Sequence, residues 1–156
     1  MTPAINLLLK QKIAHEVLQY EHDANAESFG LEAAEKLNLA PHLVYKTLVV
    51  KLDSQTLCVA ILPVEKMLSM KLLAKAAGAK KAQMADKAEV ERVTGYVLGG
   101  VSPLGQKKRL LTLIDDTAKT LSTMYVSAGK RGLEIGLSPS VLANVLSTRF
   151  APLCQS

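Results

Sequence analysis

Apolar residues recur along this chain of 156 residues with two periods in turn, the three-and-four spacing of a helix and the every-second spacing of a strand. Thr2 and Pro3 make an N-cap and first-turn pair, and Ile5, Leu8, Leu9 and Ile13 follow at helical spacing, predicting an opening helix. From Ala14 to Tyr20 the pattern alternates, with His15 and Val17 on one face and Glu16, Leu18 and Tyr20 on the other, as in a strand that stops in the polar run EHDANAES. Ser28 caps a short helix through Ala33, Ala34 and Leu37, and Asn38 and Pro41 interrupt it before another helical turn.

Val44 to Leu52 is the clearest strand. It sets Val44, Lys46, Leu48 and Val50 on one face and Tyr45, Thr47 and Val49 on the other, so a lysine stands in an apolar row. A lysine there is either an edge residue reaching water or a functional cation. Asp53 and Ser54 turn the chain into Thr56 to Pro63, whose nearly continuous apolar run suits the middle of a covered sheet. A helix from Ser69 or Met70 ends at Gly78, a strand spans Lys80 to Met84, and a helix spans Asp86 to Val93. Tyr96, Val97 and Leu98 read as a strand emptying into a glycine loop. Strands follow at Leu110 to Asp115, Thr123 to Ser127 and Leu133 to Leu137, then a helix from Ser138-Pro139 and a short strand at Phe150. The alternation predicts a mixed α/β, or α+β, fold in one compact domain covering residues 1 to 156, with a central curved mixed sheet flanked by short helices. No repeat period is visible.

Hydrophobic residues make up 49% of the chain and charged residues 21%, a globular composition. No apolar run reaches membrane-spanning length and no basic region precedes the first one, so a cytoplasmic protein is expected. Cys58 and Cys154 lack CxxC or His spacing, and neither a metal nor a cofactor is expected; Cys58, in TLCVAIL, reads as a buried strand residue. His15 and His22 have no ligand-spaced carboxylate or cysteine and read as bystanders. The net charge of +5 is uneven, because residues 63 to 109 hold 10 Lys/Arg against 4 Asp/Glu. That excess fits a polyanionic partner or a solvated lysine face. With two Phe, four Tyr and no Trp, single-strand binding by stacked aromatic platforms is disfavoured.

The most unusual stretch is TGYVLGGVSPLGQKKR, residues 94 to 109. Its four glycines can present backbone amides to an anion or oxyanion, and three cations follow at once, although a surface turn without a ligand would have the same composition. SAGKRG, residues 127 to 132, is a second glycine and cation turn. GxSxG, P-loop and HExxH motifs are absent, so the common nucleophile, NTPase and zinc-protease signatures do not apply. Nothing looks like a general base.

The segments TPAINLLLKQKI, FGLEAAEKLNL, VYKTLVV, KKAQMADKAEVERVTGYVLGGVSPLGQKKR and MYVSAGKRGLEIGLSP together resemble the YbaK family of aminoacyl-tRNA deacylases, from Thr2 to about Val145. The resemblance is to the members that clear cysteine from Cys-tRNA(Pro), with Cys-tRNA(Cys) as a further substrate. It implies tRNA as substrate and prolyl-tRNA synthetase as partner. It also implies that the functional lysine is Lys46. The pocket then falls on Tyr20, Phe29, Gly99, Gly100, Val101, Ser102, Pro103, Ser127, Gly129 and Lys130. Lys107, Lys108, Arg109 and Arg131, with Lys130, are expected to meet the tRNA backbone. Two positions depart from the family pattern. Ala128 replaces a usual glycine, and Gly136 stands where an acidic residue is usual, which puts a role for that carboxylate in doubt. Two alternatives stay open, a deacylase for another small amino acid, as in Ala-tRNA(Pro), and a non-catalytic adaptor of tRNA or synthetase.

Overall fold

The computed structural model describes residues 1 to 156 apart from Glu27, which belongs to the polar run after the first strand. The opening helix α1 (Pro3–Lys10) is capped by Thr2, whose Oγ1 accepts from Ile5 N at 3.3 Å. Strand β1 (Glu16–Gln19) is shorter than its alternation suggests. Helix α2 (Phe29–Lys36) starts at Ser28, whose Oγ accepts from Leu31 N, and a 3₁₀ turn (Pro41–Leu43) leads into β2 (Tyr45–Leu52). Next come β3 (Leu57–Pro63), α3 (Met70–Ala77), β4 (Ala82–Met84) and α4 (Lys87–Thr94). The chain closes with β5 (Leu111–Asp115), a 3₁₀ segment (Asp116–Thr120), β6 (Met124–Ser127), β7 (Leu133–Leu137), α5 (Pro139–Leu146) and β8 (Arg149–Ala151).

The strands form two sheets rather than one central sheet. A five-stranded sheet has the order β4-β2-β3-β5-β8, and a three-stranded sheet the order β1-β7-β6. In the larger sheet β2 pairs antiparallel with β3 and β4, whereas β3-β5 and β5-β8 are parallel, so it is mixed. Every residue of β3 is buried, Cys58 included, as its unbroken apolar run requires. The main core lies between the sheets: Tyr45, Val49 and Ile61 of one meet Met124, Val126 and Ile135 of the other, with Leu8 and Leu142 closing the ends. A second cluster packs α3 against the opposite face of the larger sheet through Val50, Leu62 and Leu73. A third seats α2, through Ala33 and Ala34, over Val44 and Val64, with Tyr20 and Tyr125 alongside.

The stretch after α4 is a turn and not a strand. Gly95 caps the helix in the left-handed region at φ 80°, and the buried Tyr96 donates its hydroxyl to Leu104 O at 2.6 Å. The loop folds back around that ring, which leaves Val97 and Leu98 exposed at its tip.

Candidate active site

The site begins with an incomplete strand pairing. Strand β4 reaches β2 only from Val50 to Leu52, and β6 meets its start through a parallel bridge between Val44 and Tyr125, so Lys46 to Leu48 have β3 on one side and an open edge on the other. The edge faces the outer surface of the small sheet and the N-terminal end of α2, and the gap is a cleft of about 530 Å³. That is room for an aminoacyl group and part of a nucleotide. Lys46 and Thr47 both border it, although they lie on opposite faces of β2, because the strand turns its edge and not one face toward the opening.

Lys46 is half-buried and has no carboxylate at ion-pair distance among the described residues. Burial pushes its ammonium below the usual lysine value. The hydroxyl oxygen of Thr47 is buried without a hydrogen-bond partner among the described residues. Opposite them, on β7, Glu134 is 6% exposed, and burial alone lifts its carboxyl to about 8. Tyr20 borders the cleft as well. Its phenol is raised first by burial and further by the carboxylates of Glu134 and Glu32.

The mouth is tied shut on one side by a stack. The guanidinium of Arg131 lies 3.7 Å from the centroid of Phe29 and donates to Leu98 O, while His22 meets the Phe29 ring edge-on at 5.7 Å. Gly99 sits between these groups at φ 92°, where a Cβ would come within 2.7 Å of Phe29 and 2.8 Å of Arg131, so a side chain would force the stack open. His22 is anchored in turn. Its Nδ1 lies 2.7 Å from Glu32 Oε1, and Glu32 also accepts from Asp23 N and pairs with Lys36. Burial alone would raise this carboxyl, but the three donors outweigh it and hold it at about 2. The carboxylate that His22 meets is ten residues away, beyond the ligand spacing at which the sequence shows none.

Of the residues expected to form the pocket, the cleft brings together Lys46, Tyr20, Phe29, Gly99, Val101, Ser127 and Lys130, with Arg131 at its mouth. Others stand elsewhere. The Gly100 amide closes a turn onto Val97 O at 2.8 Å, and Gly100 packs under Lys130; Gly129 N donates to Ser127 Oγ. Ser102 is fully buried with its Oγ accepting from Leu104 N, and Pro103 borders a different cavity. Lys107, Lys108 and Arg109 are exposed but do not border the cleft; Arg109 donates to Ser147 Oγ at 2.7 Å.

Glu134 is what reading the sequence missed. Gly136 drew notice as an acidic position left empty, yet Glu134 lies two residues earlier on the same face of β7, and a Cβ at Gly136 would meet the Tyr125 ring at 2.6 Å. The signal was an acid among the apolar residues LEIGL, the counterpart of a lysine in an apolar strand. Its raised carboxyl is a titratable group in the cleft that no short motif announces. Ala128 is fully buried in the main core.

The family profile for an aminoacyl-tRNA editing domain matches residues 24–145. The chain belongs to the aminoacyl-tRNA editing family. It is 34% identical, over 97% of its length and 92% of the relative's, to the Enterococcus faecalis protein named "Putative Cys-tRNA(Pro)/Cys-tRNA(Cys) deacylase EbsC". Two crystal structures share its fold. One, the hypothetical protein APE2540, has a TM-score of 0.87 at 21% identity, covering 98% of this chain and 99% of that one. The other, described as "a putative trans-editing enzyme for prolyl tRNA synthetase", has a TM-score of 0.82 at 19% identity, covering 99% and 98%. This editing protein thus has the mixed α/β fold of its family, and an aminoacyl-tRNA as its substrate. Among its described residues no helix is long and apolar enough to cross a membrane, and no three His, Cys, Asp or Glu side chains are placed to hold a metal.

Proposed function

We propose that this editing protein is a cytoplasmic, free-standing deacylase that removes cysteine from Cys-tRNA(Pro), and from Cys-tRNA(Cys), in association with prolyl-tRNA synthetase. The observation that carries the reading is the half-buried, unpaired Lys46 on the open edge of β2, in a cleft of aminoacyl size. An ammonium with no protein counter-ion gains most from an anionic or strongly polar ligand, and the 3′ end of a tRNA supplies phosphate and ribose oxygens. The name of the Enterococcus faecalis relative supports cysteine as the amino acid cleared. An editing site of this kind is needed because one methylene gives a synthetase pocket only ~1 to 3 kcal/mol of discrimination.

Lys46 holds the acceptor end, and the aminoacyl group folds into the cleft. The substrate thiol, with an ordinary pKa of ~8.5, is then the nucleophile. Its sulfur attacks the ester carbonyl carbon, the C–S bond forms, and the bond to the ribose oxygen breaks. The thiol proton passes through solvent to that oxygen, leaving a four-membered cyclic thioester that water later opens to free cysteine. The Val101 amide, which has no hydrogen bond among the described residues, is the donor left for the oxyanion, since the Gly100 amide is already engaged. Lys130 and Arg131 at the mouth meet the phosphates, and Lys107, Lys108 and Arg109 extend the contact along the tRNA backbone.

Thin-layer assay of Cys-tRNA(Pro) beside Ala-tRNA(Pro) tests the reading. Release of cysteine alone is expected, release of alanine alone would assign the other specificity, and release of neither would leave an adaptor. A tRNA charged with S-methylcysteine separates the chemistry, because rapid hydrolysis of that blocked ester would replace thiol attack with attack by water.

A further inference from the structure

Among the described residues lining the cleft, four are cations, Lys46, Lys87, Lys130 and Arg131, and Glu134 is the sole acid. Their depths differ. Lys87, Lys130 and Arg131 are exposed, whereas Glu134 is buried on the central strand of the small sheet, between Leu18 of β1 and Ser127 of β6. No described residue pairs with its carboxyl or donates a hydrogen bond to it. A buried carboxyl without a partner is costly, and the ligand that relieves the cost best brings a cation with protons to donate.

An aminoacyl-tRNA presents its charges in a fixed order: anionic phosphates first, then the ester, then the α-ammonium at the tip. Cations at the rim and one acid inside are the complement of that order. We propose that Glu134 is the receptor for the α-ammonium group of the substrate, so that the protein cleaves esters with a free α-amine and passes over those whose nitrogen is acylated, such as formyl-aminoacyl and peptidyl esters. The inference rests on the deacylase reading above and adds a limit to its substrate class. Acylation removes the charge and two of the three donor protons, and it leaves Glu134 buried with no cation to meet. The thiol is untouched. The cyclisation step is therefore as available to the blocked ester as to the free one, and discrimination comes from binding.

The test compares three esters of the same tRNA with the wild-type protein: cysteinyl, N-acetylcysteinyl, and the analogue with a hydroxyl in place of the α-amine. The expected kcat/KM is about 100-fold lower for both uncharged esters, the scale of discrimination when a buried polar group loses its partner. In Glu134→Gln, with folding checked by its melting transition, the preference should shrink to about fivefold or less. Cleavage of the uncharged esters by the wild type within about threefold of the cysteinyl ester overturns the inference and leaves the deacylase standing. A full preference retained in folded Glu134→Gln overturns Glu134 as the receptor. No cleavage of any ester removes the deacylase reading and this inference with it. The wild-type comparison decides even if the variant does not fold.

Discussion

The glycine-rich stretch from Thr94 to Arg109 builds two hollows, and they differ in what their polar groups do. Leu98, Gly99 and Val101 wall the cleft described above, while Pro103, Gly105, Gln106 and Arg109 wall a smaller one of about 230 Å³ against α1 and α5. In the smaller hollow three of the four polar side chains, all but the exposed Gln11, have protein partners: Gln106 donates to Ser102 O at 3.0 Å, Arg109 to Ser147 Oγ, and Thr112 Oγ1 to Leu110 O at 3.1 Å. In the larger one Lys46, Thr47 Oγ1 and Glu134 have none among the described residues. A hollow whose polar groups are satisfied is a packing feature. One whose titratable groups are half-buried or buried and have no partner among the described residues is built for a ligand.

Lys46→Ala breaks the comparison most sharply. Deacylation should fall at least ~1,000-fold while the melting temperature changes little, since the side chain makes no ion pair to lose. Full activity in this variant would remove Lys46 from the mechanism. The smaller hollow should answer in the opposite way. Gly105 stands at φ 66°, and a Cβ there would lie 2.6 to 2.8 Å from the backbone of Pro3 and Ala4, so Gly105→Ala should cost about 3 kcal/mol of stability. Its folded fraction should keep the wild-type turnover, measured by deacylation normalised to folded protein. Loss of turnover without loss of stability would mean that this hollow is catalytic too.

Glu134 gives a pH test of the larger hollow. Its carboxyl lies near 8 in the folded protein against 4.5 for an unburied glutamate, so folding binds an extra proton between those values. Stability on its account is full below pH 4.5 and is lost as pH rises toward 8. Glu134→Gln should therefore melt above the wild type at pH 7, by as much as ~3 kcal/mol, and the gap should close near pH ~4. A gap independent of pH would mean that the carboxyl is paired.

The exposed cations should give smaller effects. Replacing Lys130 and Arg131 with alanine should raise KM for the tRNA about tenfold at moderate salt and lower the salt slope by about 2. The triple alanine variant at Lys107, Lys108 and Arg109, which stand away from the cleft, should raise KM about threefold. Equal tRNA affinity for that triple variant and wild type at low and moderate salt would make the cluster solvated surface alone. The smallest effect concerns Glu32. Because its folded carboxyl lies near 2 against 4.5, its stability is present above pH 4.5 and lost as pH falls toward 2, and Glu32→Gln should flatten the acid limb of a melting curve.

Elements whose cause is local were legible in the chain. Thr2-Pro3 and Ser28 start helices through caps formed within three residues, Gly78 ends one, and the unbroken TLCVAILP run could only be a covered central strand. Lys46 stood out for a local reason too, a charge in an apolar row. Other features depend on pairing across long separations, which no short window records. The division into two sheets follows from β1 pairing with β7, more than a hundred residues later, and the cleft exists because β4 is too short to cover the edge of β2. Tyr96 reads like a strand residue, yet its hydroxyl bond to Leu104 rolls the glycine stretch into a loop and sends Ser102 into the core and Val101 to the cleft wall. Glu134 is the plainest case. One acid in an apolar strand declares that a buried carboxyl exists, but only the open edge of β2 beside the small sheet makes it reachable, because a carboxyl's cost and use depend on what surrounds it in space.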